Sequence, residues 1–192
     1  MTAFRSAPKV NAIPTDGPVG AKLRAEASPF VLRCLDSVAI DRSLPALDMP
    51  CGRGRHSRLL SHRGFDVVGA DIDPLSLSVV RAPGSRWTIS PVIIDARAPL
   101  PFRRETFGLA MIVHFVEDGI IPAVAALVAH GGYLIFETFG FNGENWRDLP
   151  QSGEIRKLVE PDFEILSYQE RHSPQPTIRS VSVKLCAKKR AA

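Results

Sequence analysis

From about Ser28 onward the chain alternates short apolar runs with segments whose apolar residues recur at helical spacing, the pattern of a sheet flanked by helices. Ser28 followed by Pro29 predicts a helix start, and Phe30, Val31, Cys34, Leu35 and Val38 then share one face. A brief strand is expected over Pro45 to Asp48. It runs into Met49-Pro50-Cys51-Gly52-Arg53-Gly54 and on into a helix carrying Leu59 and Leu60. A second strand, Phe65 to Asp71, ends on a carboxylate. Asp73-Pro74 caps the following helix, which runs through Arg81 to an exit at Pro83-Gly84. The right-handed crossover rule places the second strand beside the first and parallel to it.

Three more apolar runs follow: Val92-Ile93-Ile94 leading to Asp95, Leu109 to Phe115 broken only by His114, and Tyr133 to Thr138. Such near-continuous runs are expected of strands covered on both faces. Beyond a polar, aromatic loop from Phe139 to Gln151 come a short helix, Gly153 to Glu160, and two segments, Phe163 to Glu170 and Thr177 to Ala187, that read as an antiparallel hairpin at the sheet's edge. Gly119 to Phe136 holds no formally charged residue and approaches membrane-spanning length, but Pro122, His130 and Gly131-Gly132 interrupt it. The expectation is a short helix that stops at the glycines and then a buried strand, with no membrane partner.

Composition narrows the picture. With 192 residues, 45% of them hydrophobic, the chain is long enough for one domain with a real core, which excludes disorder as its main state. Residues 1–27 are expected to form a flexible arm and residues 28–192 the folded domain, because Pro8, Pro14, Gly17 and Pro18 break up the start without an apolar stretch of signal-peptide length. A net charge of +4 is too mild to identify a nucleic-acid binder, and Arg53, Arg55, Arg58 and Arg63 on one helix do not join the other basic runs in a stripe. Cys34, Cys51 and Cys186 are an odd set with no close pair, so neither a disulfide framework nor a metal cluster is expected, and a cytoplasmic location fits best.

The candidate chemistry lies at the ends of successive strands. Gly52 and Gly54 permit a tight turn and close approach of a ligand to main-chain amides, and the next helix presents its positive end to an anionic group. Asp71, nineteen residues after Gly52, stands where a carboxylate can accept hydrogen bonds from both hydroxyls of a ribose, and Asp95 ends the third strand. A dinucleotide site wants a third glycine where Ser57 stands, and a pyrophosphate would meet the charge of Asp48. An adenosine joined to an amino acid suits the turn better, with Asp48 toward the ammonium. Cys51 reads as the small residue such a turn needs rather than as a nucleophile. His114, ending the fourth strand, is the best candidate for a base, yet a lone histidine in an apolar strand is more often structural, and with Phe115 it can equally form a wall. His56 reads either as a contact at the helix start or as an exposed bystander.

Asp48 to Gly54, Gly69-Ala70-Asp71-Ile72-Asp73-Pro74 and Asp95-Ala96-Arg97 resemble the signature stretches of class I S-adenosylmethionine-dependent methyltransferases, over about Ser28 to the C-terminus. Cys51 to Ser57 and Tyr133 to Phe139 further resemble the small tellurite-resistance and thiopurine types. The resemblance implies an α/β, Rossmann-like, seven-stranded and mostly parallel sheet with helices on both faces and a C-terminal antiparallel hairpin. It implies S-adenosylmethionine as cofactor, Asp71 on the ribose, Asp95 and Ala96 at the adenine edge, and a cofactor site of Asp48, Met49, Pro50, Cys51, Gly52, Gly54, His56, Asp71, Ile72, Asp95, Ala96, His114 and Phe115. Two departures stand out: Met49-Pro50 replaces a small or glycine-containing pair, and Gly108 follows Phe107 where many relatives carry aspartate. The expected activity is methyl transfer to a small-molecule acceptor, with RNA methylation and non-catalytic nucleoside binding as alternatives. No catalytic base is assigned, and a homodimer stays open.

Overall fold

The computed structural model describes residues 18–80, 87–117, 119–141, 150–172 and 180–192. Its elements are α1 (Pro18–Glu26), α2 (Pro29–Ser37), β1 (Ala46–Asp48), α3 (Arg55–His62), β2 (Val67–Asp71), α4 (Pro74–Val80) and β3 (Ile89–Ile93). They continue with β4 (Phe107–Val113), α5 (Ile120–Leu127), β5 (Val128–Phe141), α6 (Glu154–Val159), β6 (Phe163–His172) and β7 (Ser180–Lys189). The strands form one sheet in the order β3-β2-β1-β4-β5-β7-β6. β1 pairs in parallel with β2 and β4, β2 with β3, and β4 with β5, whereas β7 is antiparallel to both β5 and β6. This is the expected Rossmann-like sheet with its reversed hairpin.

Alternation along each strand feeds two cores. Leu47, Leu134 and Phe136 point to the side covered by α5 and α6 through Ile120, Ile121, Val124, Ile155 and Val159. Ala46, Tyr133 and Ile135 point to the other side, where Leu23, Phe30, Val31, Leu59 and Leu60 of α1, α2 and α3 cover them. Successive residues of a strand face opposite ways, so double coverage explains why these strands read as unbroken apolar runs. Pro91 is accommodated because β3 lies at the sheet's edge, where a missing N–H costs no central ladder bond.

Three expectations shift. Residues 18–26, expected in the loose arm, form α1, which buries Leu23, with the buried Ala27 just beyond it, and ties to its neighbours through Arg24–Asp36 at 3.0 Å and Arg58–Glu26 at 4.0 Å. The helix α5 ends at Leu127, before the Gly131-Gly132 pair rather than at it. The pair instead lies in a bulge of β5, between Val128 opposite Phe107 and Tyr133 opposite Leu109. Gly131 has φ +76°, and a Cβ on Gly132 would meet the carbonyl oxygens of Ala129 and Gly108 at 2.9 Å each, so only glycine fits. Among the described residues no helix is long and apolar enough to cross a membrane. The expected helix exit at Pro83-Gly84 and most of the loop from Phe139 to Gln151 lie outside the described residues.

Candidate active site

All the strand ends singled out above meet at one edge of the parallel part of the sheet, because β1, β2, β3 and β4 run in the same direction. In open α/β sheets this carboxyl edge is where ligands bind. Asp48 closes β1 and is buried. Its carboxylate accepts a 2.6 Å hydrogen bond from the Ser57 hydroxyl in the first turns of α3. Burial pushes the Asp48 carboxyl up to about 6, against the opposing pull of Ser57 and the Arg55 charge. A carboxylate so far from water gains from a cation brought close to it.

The chain leaves β1 through a cis Met49-Pro50 peptide. Cys51 N–H then donates to the Ala70 carbonyl at 2.8 Å, pinning the turn to β2. Gly52 has φ +52°, and a Cβ built there would meet nothing within 4 Å, so open space lies against this backbone. Gly54, φ +75°, is different: its Cβ would strike Val80 at 2.6 Å, so this glycine lets α3 begin close against α4. Asp71 takes up the turn's own amides, accepting from Gly52 N–H at 2.7 Å and from Asp73 N–H at 3.0 Å, one on each oxygen. A carboxylate offers about four acceptor positions, so Asp71 retains capacity for two further donors. Ile72, beside it, is 57% exposed, an apolar side chain left at the crevice rim. Asp95 is exposed and accepts from Arg97 N–H at 2.9 Å, with the half-buried Ala96 between them.

The two candidates of the turn with reactive side chains are explained by their surroundings. Cys51 is buried, and desolvation together with the charges of Asp48 and Asp71 pushes its thiol up to about 12, so it stays protonated. His56 is buried as well, not an exposed bystander. Its Nε2 accepts the Ser28 N–H at 3.1 Å, which locks the start of α2 to the start of α3, and burial plus the Arg55 charge lowers it to about 4.

His114 follows β4 with φ +58°, a left-handed conformation that costs a non-glycine residue about 1–2 kcal/mol and that clusters at functional sites. Its N–H donates to the Glu137 carbonyl at 2.7 Å. Arg55 donates to its Nδ1 at 3.4 Å. A guanidinium has no acceptor, so Nδ1 carries no proton there and the neutral ring bears its proton on Nε2. Burial first, then the Arg55 charge, hold His114 below the ordinary histidine value. Its Nε2–H is therefore a hydrogen-bond donor at neutral pH. Phe115 is half-buried against the core on the α5 side.

One group went unpredicted. Glu137, within the apolar run of β5, is buried; it accepts from the Ser28 hydroxyl that also caps α2 and pairs with Lys184 at 2.8 Å. Burial pushes its carboxyl up, but Lys184 and Ser28 outweigh that and hold it below the usual range. The signal in the sequence was a lone charge inside a buried strand, with a lysine at an alternating position in the terminal hairpin. Glu137, Lys184, His114, Arg33 and Arg171 line a cavity of about 410 Å³.

As a test for a nucleoside joined to an amino acid, the donor set fits. Asp71 has spare acceptor capacity for vicinal hydroxyls, Gly52 faces open space, and Asp48 is an under-compensated anion. Gly108 has its own local reason: a Cβ there would meet the Asp41 carbonyl at 2.9 Å and Leu44 at 3.1 Å, leaving no room for a side chain. Among the described residues no cluster of three potential ligands could hold a metal ion.

Residues 46–132 match the family described as a methyltransferase domain. A ubiquinone biosynthesis O-methyltransferase of Burkholderia ambifaria is 29% identical over 124 residues, 61% of this chain and 53% of that protein. The chain spans about half the length of the curated relatives it matches. Among solved structures, TehB from Haemophilus influenzae superposes with a TM-score of 0.66 at 19% identity, covering 85% of this chain and 63% of TehB. The [4+2]-cyclase SpnF superposes at 0.65 with 14% identity, covering 90% and 83%. At such identities these likenesses speak for the fold alone.

Proposed function

We propose that this chain is a class I S-adenosylmethionine-dependent methyltransferase domain, a reading supported by its fold and by the match of residues 46–132 to a methyltransferase domain, and that it transfers a methyl group from that cofactor to a small-molecule acceptor. The observation that carries the reading is the Asp48–Gly52–Asp71 cradle, with a buried carboxylate, an open glycine turn and a second carboxylate with unused lone pairs at adjoining strand ends. Asp71 holds the two ribose hydroxyls. Asp48 faces the ammonium, Met49 to Gly54 wrap the amino-acid end, and Ile72, Asp95 and Ala96 bound the adenine. His114 and Phe115 wall the methionine side of the pocket, and His114 also lines the cavity beyond it.

When bound, the cofactor supplies an electrophilic sulfonium methyl group that needs no metal for its displacement. The chain's work is then to position the acceptor in line and to exclude water. His114, with Nδ1 occupied by Arg55, offers Nε2–H to an acceptor oxygen or sulfur and so orients it. Among the described residues His114 Nδ1 is taken by Arg55 and Glu137 is paired with Lys184 and Ser28, so soft or already ionised nucleophiles, which need no base, suit such a site.

The geometry disfavours RNA as acceptor. Arg63 is 8% exposed and pairs with Asp36 at 2.6 Å, Arg58 bonds to the Arg53 carbonyl at 2.7 Å and to Glu26, and Arg55 engages His114. Three of the four arginines along α3 are thus engaged within the chain instead of forming a free basic stripe. Calorimetric titration with S-adenosylhomocysteine and with NAD tests the reading. The nucleoside thioether should bind saturably and NAD should not. Asp71→Ala should weaken it by about 1.5–3 kcal/mol, the worth of hydrogen bonds to a charged acceptor. Unchanged affinity in that variant removes the ribose assignment.

A further inference from the structure

The cavity beside His114 has a charge pattern that the methyl-transfer reading leaves unexplained. Its floor is two cross-strand rows on one face of the sheet. Glu137, Lys184 and Gln169 stand abreast on β5, β7 and β6, and Phe139, Ser182 and Arg171 form the next row. Residues two apart on a strand share a face, so both rows look the same way, and Arg33 of α2 closes the cavity from above. Lys184 is spent on Glu137 at 2.8 Å, and those two charges cancel. Arg33 lies over the Phe30 ring, 5.9 Å from its centre, an arrangement that leaves its donors available. Among the described residues neither Arg33 nor Arg171 has a carboxylate partner. Two guanidiniums without a carboxylate partner among the described residues therefore face a space that His114 also lines.

Resting on the reading that this domain methylates a small molecule, we propose that the acceptor is an organic anion whose negative group is held by Arg33 and Arg171 while its nucleophilic atom lies toward His114. The planar guanidinium fork matches a carboxylate or phosphate, and the low polarity of the Phe30 and Phe139 rings beside it strengthens such a contact. The scale agrees. Three strand spacings of about 4.8 Å separate β4 from β6, roughly 14 Å of backbone, which the two arginine side chains shorten to the length of a ring-sized molecule with an acidic substituent.

The test uses the full chain saturated with S-adenosylhomocysteine, whose own binding is measured first. Benzoate, phenyl phosphate and the neutral isostere benzamide are then titrated against the wild type, Arg33→Gln and Arg171→Gln. The proposal expects at least one anion to bind tenfold or more tightly than benzamide, and each variant to lose about tenfold for that anion with S-adenosylhomocysteine affinity and melting temperature unchanged. Benzamide binding as well as both anions overturns it, as does the absence of measurable binding of either anion. Anion binding that survives in both arginine variants also overturns it. Failure of the wild type to bind S-adenosylhomocysteine is a separate outcome that removes the underlying reading and the acceptor proposal with it.

Discussion

Asp48 concentrates the conflict between stability and binding. Its carboxyl stands at about 6 in the folded chain against an ordinary 3.8, so on raising the pH the unfolded chain ionises first, and the fold loses stability between about pH 4 and pH 6 and does not regain it above. Asp48→Asn removes the charge and keeps an oxygen for the Ser57 hydroxyl. At pH 7 it should therefore raise unfolding stability, by up to about 3 kcal/mol, in denaturant titration. The same variant should lose affinity for S-adenosylhomocysteine, because the ammonium no longer meets an anion. In the wild type that affinity should fall as pH drops through about 6, and a flat profile from pH 5 to 7.5 would remove Asp48 from the ammonium's contacts.

Elements were legible in proportion to how local their determinants are. The start of α2 was readable because Ser28 and Pro29 act within one turn, and the hydroxyl does accept from Phe30 N–H at 3.1 Å. The ends of β1 and β2 were readable because glycine and aspartate mark a turn and a carboxylate wherever they occur. By contrast α1 hides in PVGAKLRAE, a weakly amphipathic stretch anchored by the buried Leu23. The Glu137–Lys184 pair depends on antiparallel register between β5 and β7, which residue order does not state. The bulge at Gly131-Gly132 likewise needed the neighbouring β4 to show why a helix stop was the wrong use of two glycines. Ser28 joins both kinds of determinant, since its one hydroxyl caps α2 and supports the Glu137 carboxylate. Ser28→Ala should cost about 1–2 kcal/mol in thermal or chemical unfolding, at the upper end of capping effects. A change under a few tenths would mean that Lys184 alone satisfies Glu137.

At the scale of the whole molecule, the sheet divides its labour. The parallel half, β3-β2-β1-β4, gathers the carboxylates and the glycine turn at one edge, while the reversed β7-β6 hairpin extends the floor past β5 and brings Gln169, Arg171, Ser182 and Lys184 to the adjoining cavity. On the proposed reading, cofactor and acceptor would be held by different halves of one sheet, with His114 at the boundary. A ligand that binds only the folded chain stabilises it, so S-adenosylhomocysteine at a hundredfold over its dissociation constant should add about 2.7 kcal/mol, several degrees in melting temperature for a chain of this size. The most direct test of the central claim is a crystal structure grown with S-adenosylhomocysteine. The account predicts both ribose hydroxyls on Asp71, the amino-acid end against Gly52 and Asp48, and the sulfur directed toward His114. A nucleoside bound elsewhere, or a strand-end crevice filled by the chain's own side groups, would contradict it.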